Sequence, residues 1–182
     1  SMLNYTTLFG SWNHTLFQAP GSWVDAAHQN GTDIMSGMKF FDTTGGRGNG
    51  ASQWMSFIKE TNDKGEYKYA RPLINLLRFH GMDGINYNWE TSGYDNKNVI
   101  DFHKRLYQIA KEENFNNFHI VIYTMSNILP SYSTNALFGW NGSRTAEVML
   151  NYDGNGFTRD MNASYRNAKN ALQTTKGLYM GG

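Results

Sequence analysis

The fold of this chain is decided by residues 81–90, which read Gly-Met-Asp-Gly-Ile-Asn-Tyr-Asn-Trp-Glu. Apolar and polar residues alternate along this segment, as expected of a β-strand whose two faces meet different surroundings. The apolar face would carry Ile85, Tyr87 and Trp89, and the polar face would carry Asn86, Asn88 and Glu90. Such a polar face suits either a solvent-exposed antiparallel sheet or the inside of a barrel, and the flanking segments distinguish the two.

On both sides of this segment, short apolar runs alternate with longer stretches of helical periodicity. Strands are predicted at Leu8–Trp12, Asp33–Phe41, Gly84–Glu90, His119–Thr124, Glu147–Tyr152 and Leu178–Met180. Helices are predicted at Ser52–Lys59, Tyr67–Phe79, Asn96–Glu112 and Ala163–Gln173. This alternation indicates an α/β fold with a parallel sheet, either an open doubly wound sheet or a (β/α)8 barrel of the TIM type.

The length of the chain favours part of a barrel. A complete barrel usually takes about 250 residues, whereas this chain offers six predicted strands in 182 residues. We therefore expect a single barrel domain over residues 1–182, with about six βα units and without the first and last barrel strands. Helices cover the outside of a barrel, so the polar face of residues 84–90 should point inward. Its C-terminal end is where barrel active sites assemble.

The composition points to a neutral, polar ligand. With 16 basic and 15 acidic residues the net charge is +1, which gives no sign of nucleic acid or an anionic membrane as partner. Charged residues make up 17% of the chain and aromatic residues 15%, a balance typical of an aromatic-lined cleft for a sugar. No apolar run reaches the roughly 20 residues of a membrane helix, so membrane insertion is not expected.

Metal and cofactor sites are not predicted. The chain has no cysteine, which excludes disulfides, thiolate metal sites and a cysteine nucleophile. The five histidines do not form a pair at zinc-binding spacing. We expect a secreted or cell-surface protein. The cytoplasm stays the alternative, because the absence of cysteine does not decide the compartment.

A resemblance to known enzymes begins in the central strand. Asp83-Gly84 followed by Asn88 and Glu90 resembles the D-G-x-x-x-N-x-E strand of family 85 endo-β-N-acetylglucosaminidases. The same strand is similar to the D-G-x-D-x-D-x-E strand of family 18 chitinases, with Asn86 and Asn88 in place of both inner aspartates. The asparagine at position 88 favours family 85. Asp83 falls on the opposite face from Glu90, and we interpret it as structural.

Other segments extend the resemblance in the same order along the chain. Residues 20–31 resemble the P…W-x-x-A-A-H-x-x-G stretch of family 85. Residues 122–124 stand at its W-Y-D strand end and match it only at Tyr123. Residues 149–153 resemble both the L-N-Y strand of family 85 and the M-x-Y-D strand of family 18. Residues 178–181 resemble the Y-M-G of family 85, so the likeness runs from about residue 8 to the end.

The resemblance implies a substrate-assisted, retaining glycoside hydrolase, a known exception to the rule of two catalytic carboxylates. The acetamido group of the sugar would be the nucleophile, Glu90 the acid and base, and Asn88 the residue that orients the acetamide. The candidates for other substrate contacts are Asn86, Tyr123 and Tyr152, with Trp12 and Trp140 placed to stack on sugar rings.

The expected activity is that of an endo-β-N-acetylglucosaminidase, which hydrolyses the GlcNAc-β-1,4-GlcNAc core of N-glycans without a cofactor. The expected partner is a glycan or glycoprotein substrate. Two alternatives stay open: a chitinase-like family 18 hydrolase, and a glycan-binding barrel without catalysis. The oligomeric state is open as well.

Overall fold

A sheet of six parallel strands organises the protein, whose computed structural model describes residues 8–10, 25, 28–37, 50–88, 96–124, 126–131, 136–151 and 157–180. In order across the sheet, the strands are β1 (Leu8–Gly10), β2 (Asp33–Gly37), β3 (Gly84–Asn88), β4 (His119–Tyr123), β7 (Glu147–Leu150) and β8 (Leu178–Met180). Strand order follows chain order, as in a (β/α) barrel. The predicted α/β fold of the TIM-barrel type is confirmed, as a partial barrel of six strands.

In the described parts of the chain, four complete helices connect and cover these strands. They are α1 (Gly50–Lys59), α2 (Ala70–Phe79), α3 (Lys97–Glu112) and α4 (Phe157–Leu172). One continuous apolar core joins the helices to one face of the sheet. From the strands it includes Ile85, Ile120, Ile122, Val148 and Leu150, and from the helices it includes Leu77, Phe102, Leu106 and Ala168. None of the described helices is long and apolar enough to cross a membrane.

The opposite face of the sheet is the inner face of the partial barrel. Strand register pairs Gly84 of β3 with His119 of β4, and Asn86 with Val121. Paired residues of neighbouring strands face the same side. Val121 is buried yet does not belong to the core shared with the helices, while Ile85 does. Ile85 and Asn86 therefore face opposite sides of β3, as the alternation in the sequence predicts.

Helix α3 follows its sequence signals closely. The side chain of Asn96 accepts a hydrogen bond from the backbone N–H of Asn98 at 2.9 Å and so caps the first turn. The side chains of Val99, Phe102 and Leu106 recur at helical spacing and are fully buried. The observed bounds differ from the predicted ones by a single residue because cap and apolar stripe agree.

Two other helices begin at different places from those predicted. Helix α2 begins at Ala70 rather than Tyr67, because the chain before it forms a turn in which Thr61 and Tyr67 make an antiparallel bridge. Helix α4 begins at Phe157, six residues before the predicted start. Residues 157–162 hold only two apolar residues, Phe157 and Met161, among four polar ones, so hydrophobic spacing indicates these turns only weakly.

A short hairpin was not predicted. It consists of β5 (Gly139–Trp140) and β6 (Ser143–Arg144), which pair antiparallel. Asn141 and Gly142 between them have φ angles of 49° and 75°. Two left-handed residues form the turn that suits a two-residue hairpin, and Asn-Gly is its preferred sequence.

Candidate functional site

Three of the candidate site residues, Asn86, Asn88 and Tyr123, lie near the C-terminal ends of β3 and β4. The backbone of Asn88 at the end of β3 pairs with Tyr123 at the end of β4, and Tyr123 in turn pairs with Met149 of β7. Asn86 lies two residues before Asn88 on the same strand. Adjacent strands are about 4.8 Å apart, so these three positions belong to one small region of the sheet.

Asn86 is a polar residue in a buried position. Only 3% of its surface is exposed, on the inner face beside Val121. An amide group removed from water costs free energy unless it makes hydrogen bonds. It can both donate and accept them, which makes it suited to a ligand that carries hydroxyl and acetamide groups.

The chain that follows β4 is fixed by side-chain hydrogen bonds. The hydroxyl of Ser126 donates to the carbonyl oxygen of Ile128 at 2.7 Å. The backbone N–H of Leu129 donates to the hydroxyl of Ser164 in α4 at 2.9 Å, and the Asn167 amide donates to the Leu129 carbonyl at 2.8 Å. These bonds anchor the segment after Tyr123 to helix α4, so the end of β4 has a defined position beside the C-terminal edge.

Several predicted site residues lie outside the described residues. They are Trp12, Glu90 and Tyr152. Asn88 is described as part of the strand backbone only. The structure thus brings together the positions of Asn86, Asn88 and Tyr123, and these three are the part of the predicted site that it describes.

Trp140 is placed elsewhere. It is 39% exposed and lies in the β5–β6 hairpin. In that hairpin Gly139 packs against Leu172 at the end of α4, and Arg144 bonds the carbonyl of Lys176 just before β8. These contacts hold the hairpin near the points where β7 and β8 begin, which is the N-terminal edge of the sheet. Trp140, predicted to stack on sugar rings, thus lies at the N-terminal edge of the sheet, whereas Asn88 and Tyr123 lie at the C-terminal edge.

Sequence reasoning missed a charged cluster at that N-terminal edge. The ring of His119 lies between two carboxylates, with Nδ1 2.6 Å from Glu147 Oε2 and Nε2 2.6 Å from Asp33 Oδ2. The hydroxyl of Tyr179 donates to Glu147 Oε1 at 2.7 Å. We call these four residues the His119 cluster. A signal existed in the sequence, because Asp33, His119 and Glu147 are each the first residue of a predicted strand.

The cluster shifts the pKa values of its members. Burial lowers the pKa of His119, but hydrogen bonds and negative charges from Glu147 and Asp33 more than offset this and raise it overall. Burial raises the pKa of Glu147, and its bond with His119 outweighs that effect and lowers it overall. Burial and the charge of Glu147 raise the pKa of Tyr179. The cluster therefore favours an imidazolium between two carboxylates.

A cavity of about 750 Å³ opens beside the His119 cluster. Its walls include Tyr107, Arg144 and Lys176. The Arg144 guanidinium lies over the ring of Phe138, 4.5 Å from its centroid. Both ring nitrogens of His119 already contact carboxylates, so neither is available to bond a substrate. In barrel enzymes the N-terminal edge serves stability, and this cluster fits that role better than catalysis.

Two further histidines have structural surroundings. His103 is fully buried with Nδ1 3.0 Å from the carbonyl oxygen of Thr145, and burial lowers its pKa to about 3. His28 Nε2 lies 2.7 Å from Asp83 Oδ2. Asp83, interpreted from the sequence as structural, thus has a side-chain partner away from the C-terminal edge. Among the described residues, no group of three or more His, Asp or Glu side chains has a geometry that could hold a metal ion.

Comparison with known proteins gives two results. Residues 1–177 match the model of the family described as glycosyl hydrolase family 85. Among solved structures, the chain is similar to the crystal structure of a chitinase from Bacteroides thetaiotaomicron, with a TM-score of 0.56 and 16% sequence identity. That similarity covers 97% of this chain and 58% of the chitinase chain, and at this identity it concerns the fold. The comparison with curated proteins gave no match.

Proposed function

The chain belongs to glycosyl hydrolase family 85, and on that basis we propose that it is an endo-β-N-acetylglucosaminidase acting on the GlcNAc-β-1,4-GlcNAc core of N-glycans. The substrate would be a glycan or a glycoprotein, which agrees with a secreted or cell-surface location. The motifs follow the order of family 85 along the whole chain, and this order supports the assignment more strongly than a match in one strand would.

The observation that carries the proposal is the buried amide of Asn86 on the inner face of β3. Asn86 is buried and pairs with Val121 of the neighbouring strand β4. Two residues further along both strands, Asn88 pairs with Tyr123. A buried polar residue on the inner face of a barrel strand, close to its C-terminal end, is typical of a ligand-binding region. In the sequence, Glu90 follows Asn86 by four residues.

The proposed reaction uses the substrate as its own nucleophile. The carbonyl oxygen of the 2-acetamido group attacks the anomeric carbon while Glu90 gives its proton to the departing glycosidic oxygen. The bond to that oxygen breaks and an oxazolinium-type ring forms. Glu90, now a carboxylate, removes a proton from water as the water attacks the same carbon and reopens the ring. Net configuration is retained because the anomeric carbon is inverted twice.

The other candidate residues would serve this reaction by positioning the acetamide. Asn88 would hold the group so that its oxygen faces the anomeric carbon, and its amide can both donate and accept hydrogen bonds. Tyr123 and Tyr152 would donate hydrogen bonds to the acetamide or to the ring intermediate. A correctly oriented neighbouring group reacts far faster than one free to rotate, so these contacts should affect turnover more than binding.

Replacing Glu90 tests the proposal directly. We expect Glu90→Gln to lower the release of free glycan from a high-mannose glycopeptide by at least about 100-fold, because the amide cannot transfer the proton. Glu66→Gln is the matched control, since it makes the same chemical change in an exposed turn, and it should keep wild-type turnover. Wild-type turnover in the Glu90 variant would refute the assignment of the acid.

A chitin-directed hydrolase is the second candidate function. It is favoured by the similarity of the fold to a chitinase structure and by the likeness of residues 149–153 to the M-x-Y-D strand of family 18. Assays on chitin oligomers and on high-mannose glycopeptides, run side by side, separate the two. Affinity for either sugar without turnover of any would instead indicate a glycan-binding barrel. A thiazoline mimic of the ring intermediate should inhibit the enzyme under either catalytic assignment.

A further inference from the structure

We propose that the His119 cluster is a proton-dependent clamp that holds four parallel strands together at the N-terminal edge and makes the sheet most stable at mildly acidic pH. Asp33 belongs to β2, His119 to β4, Glu147 to β7 and Tyr179 to β8. The clamp is independent of the proposed glycosidase activity, because its residues lie at the opposite edge from Asn88 and Tyr123.

The geometry requires a protonated ring. Both ring nitrogens of His119 are 2.6 Å from a carboxylate oxygen. A neutral imidazole has a single N–H, so one of these contacts would bring a nitrogen lone pair against an oxygen lone pair. The imidazolium donates both hydrogen bonds and neutralises part of the surrounding negative charge. Loss of its proton therefore breaks one of the two links.

The link from His119 to Asp33 passes over a strand. Strand β3 lies between β2 and β4, and its residue in register with His119 is Gly84. A Cβ atom at position 84 would lie 2.0 Å from the His119 carbonyl oxygen. The close approach of the β4 backbone thus restricts position 84 to glycine, at the point where the imidazole reaches across β3 to Asp33.

Solvent can supply and remove the proton. The side chain of His119 is 19% exposed, and the cavity beside it is open to solvent. The titratable and charged groups that face the ring and its partners come from several elements. They are Asp33, Glu147, Tyr179, Tyr107, Arg144 and Lys176.

The sign of the pH effect follows from two pKa shifts. The pKa of His119 is raised, so its contribution to stability is complete below its unfolded value of 6.5 and is lost as the pH rises through the folded value. The pKa of Glu147 is lowered, so its contribution is complete above 4.5 and is lost as the pH falls through the folded value. The clamp is therefore complete between about pH 4.5 and 6.5.

The proposal is best tested above this pH range, where the His119 ring loses its proton. Burial lowers the pKa of His103 to about 3, so its ring stays neutral there. The pKa values of Tyr107 and Tyr179 are raised, and their hydroxyls stay protonated. A difference in pH dependence between wild type and a His119 variant in the range of about pH 6 to 8.5 can thus be assigned to His119, and not to His103 or these tyrosines.

The first experiment measures the melting temperature of His119→Gln and of the control His80→Gln, whose residue is exposed and outside the cluster. Wild-type protein and the control should lose about 2–4 °C more than His119→Gln does between about pH 6 and 8.5. Parallel pH profiles for wild type and His119→Gln would overturn the proposal.

The second experiment needs no destabilising change at His119. In an NMR titration of the wild-type histidine rings, one resonance should have a midpoint above 6.5. Asp33→Asn should lower that midpoint, since it removes one carboxylate partner, whereas Asp83→Asn, which removes the partner of His28, should leave it in place. If no resonance responds to Asp33→Asn, the clamp is refuted even should His119→Gln fail to fold.

Discussion

At the scale of single residues, the burial of Asn86 needs more explanation than the burial of its neighbours. The core-facing Ile85 needs no partner, whereas the 3%-exposed amide of Asn86 occupies an inner-face position that an apolar residue such as Val121 also fills. Burying an amide contributes less to stability than burying an alkyl group of similar size. We interpret its presence as a requirement of substrate binding.

We expect Asn86→Ala to lower kcat/KM by roughly 3- to 10-fold, the effect of losing about one hydrogen bond to the bound substrate. Val121→Ala, the matched control, removes apolar side-chain volume from the adjacent position. It should lower the melting temperature while kcat/KM of the folded protein changes little. Steady-state kinetics on a glycopeptide, together with thermal unfolding, distinguish the two. Equal kinetic losses in both variants would mean that Asn86 serves packing alone.

At the scale of elements, agreement between local signals decided which elements could be predicted. Helix α3 has an Asn96 cap and a buried apolar stripe, and its predicted bounds are nearly those observed. Helix α4 begins in a polar turn, so its start was predicted too late. The hairpin escaped prediction because each of its strands has only two residues, too short for an alternating pattern, although Asn141-Gly142 is a typical turn sequence.

The cap of α3 can be tested by itself. Asn96→Ala should lower the free energy of unfolding by about 1 kcal/mol, because the backbone N–H of Asn98 loses its side-chain acceptor. Asn96→Asp should keep most of the stability, since a carboxylate oxygen accepts the same bond and favours the helix N-terminus. Urea unfolding measures both. An alanine variant as stable as wild type would show that the bond contributes nothing.

At the scale of the whole molecule, the parallel sheet and its helical cover could be predicted, but the ionic contacts between distant segments could not. His119 and Asp33 are 86 residues apart in sequence and meet only in the folded sheet, across strand β3. Asn86, Asn88 and Glu90 could be proposed as site residues because they belong to one predicted strand, and their roles stay predictions. The edge at which Trp140 lies could not be predicted, because nothing in its neighbourhood indicates which edge of the sheet its hairpin adjoins.

Two kinds of ionic contact in this molecule should respond differently to salt. Arg71 in α2 bonds both Glu112 and Glu113 at the end of α3, with its side chain 44% exposed. Exposed pairs of this kind contribute about 1 kcal/mol or less and are screened by salt. The destabilisation caused by Arg71→Gln should therefore largely disappear at about 1 M NaCl.

The less exposed His119 cluster should retain most of its effect under the same conditions, because buried pairs are screened much less. Thermal unfolding of Arg71→Gln and His119→Gln at low and high salt makes the comparison. Equal salt sensitivity of the two variants would contradict the difference in burial on which the expectation depends.

The glycine at position 84 limits how this sequence can change over evolution. A side chain there would collide with the backbone of β4 at His119. Substitution would require β3 and β4 to move apart, so the glycine should be retained for as long as the two strands pair in this register. Protein engineers who want tolerance of alkaline conditions could redesign the His119 cluster, which lies away from the candidate catalytic edge of the sheet.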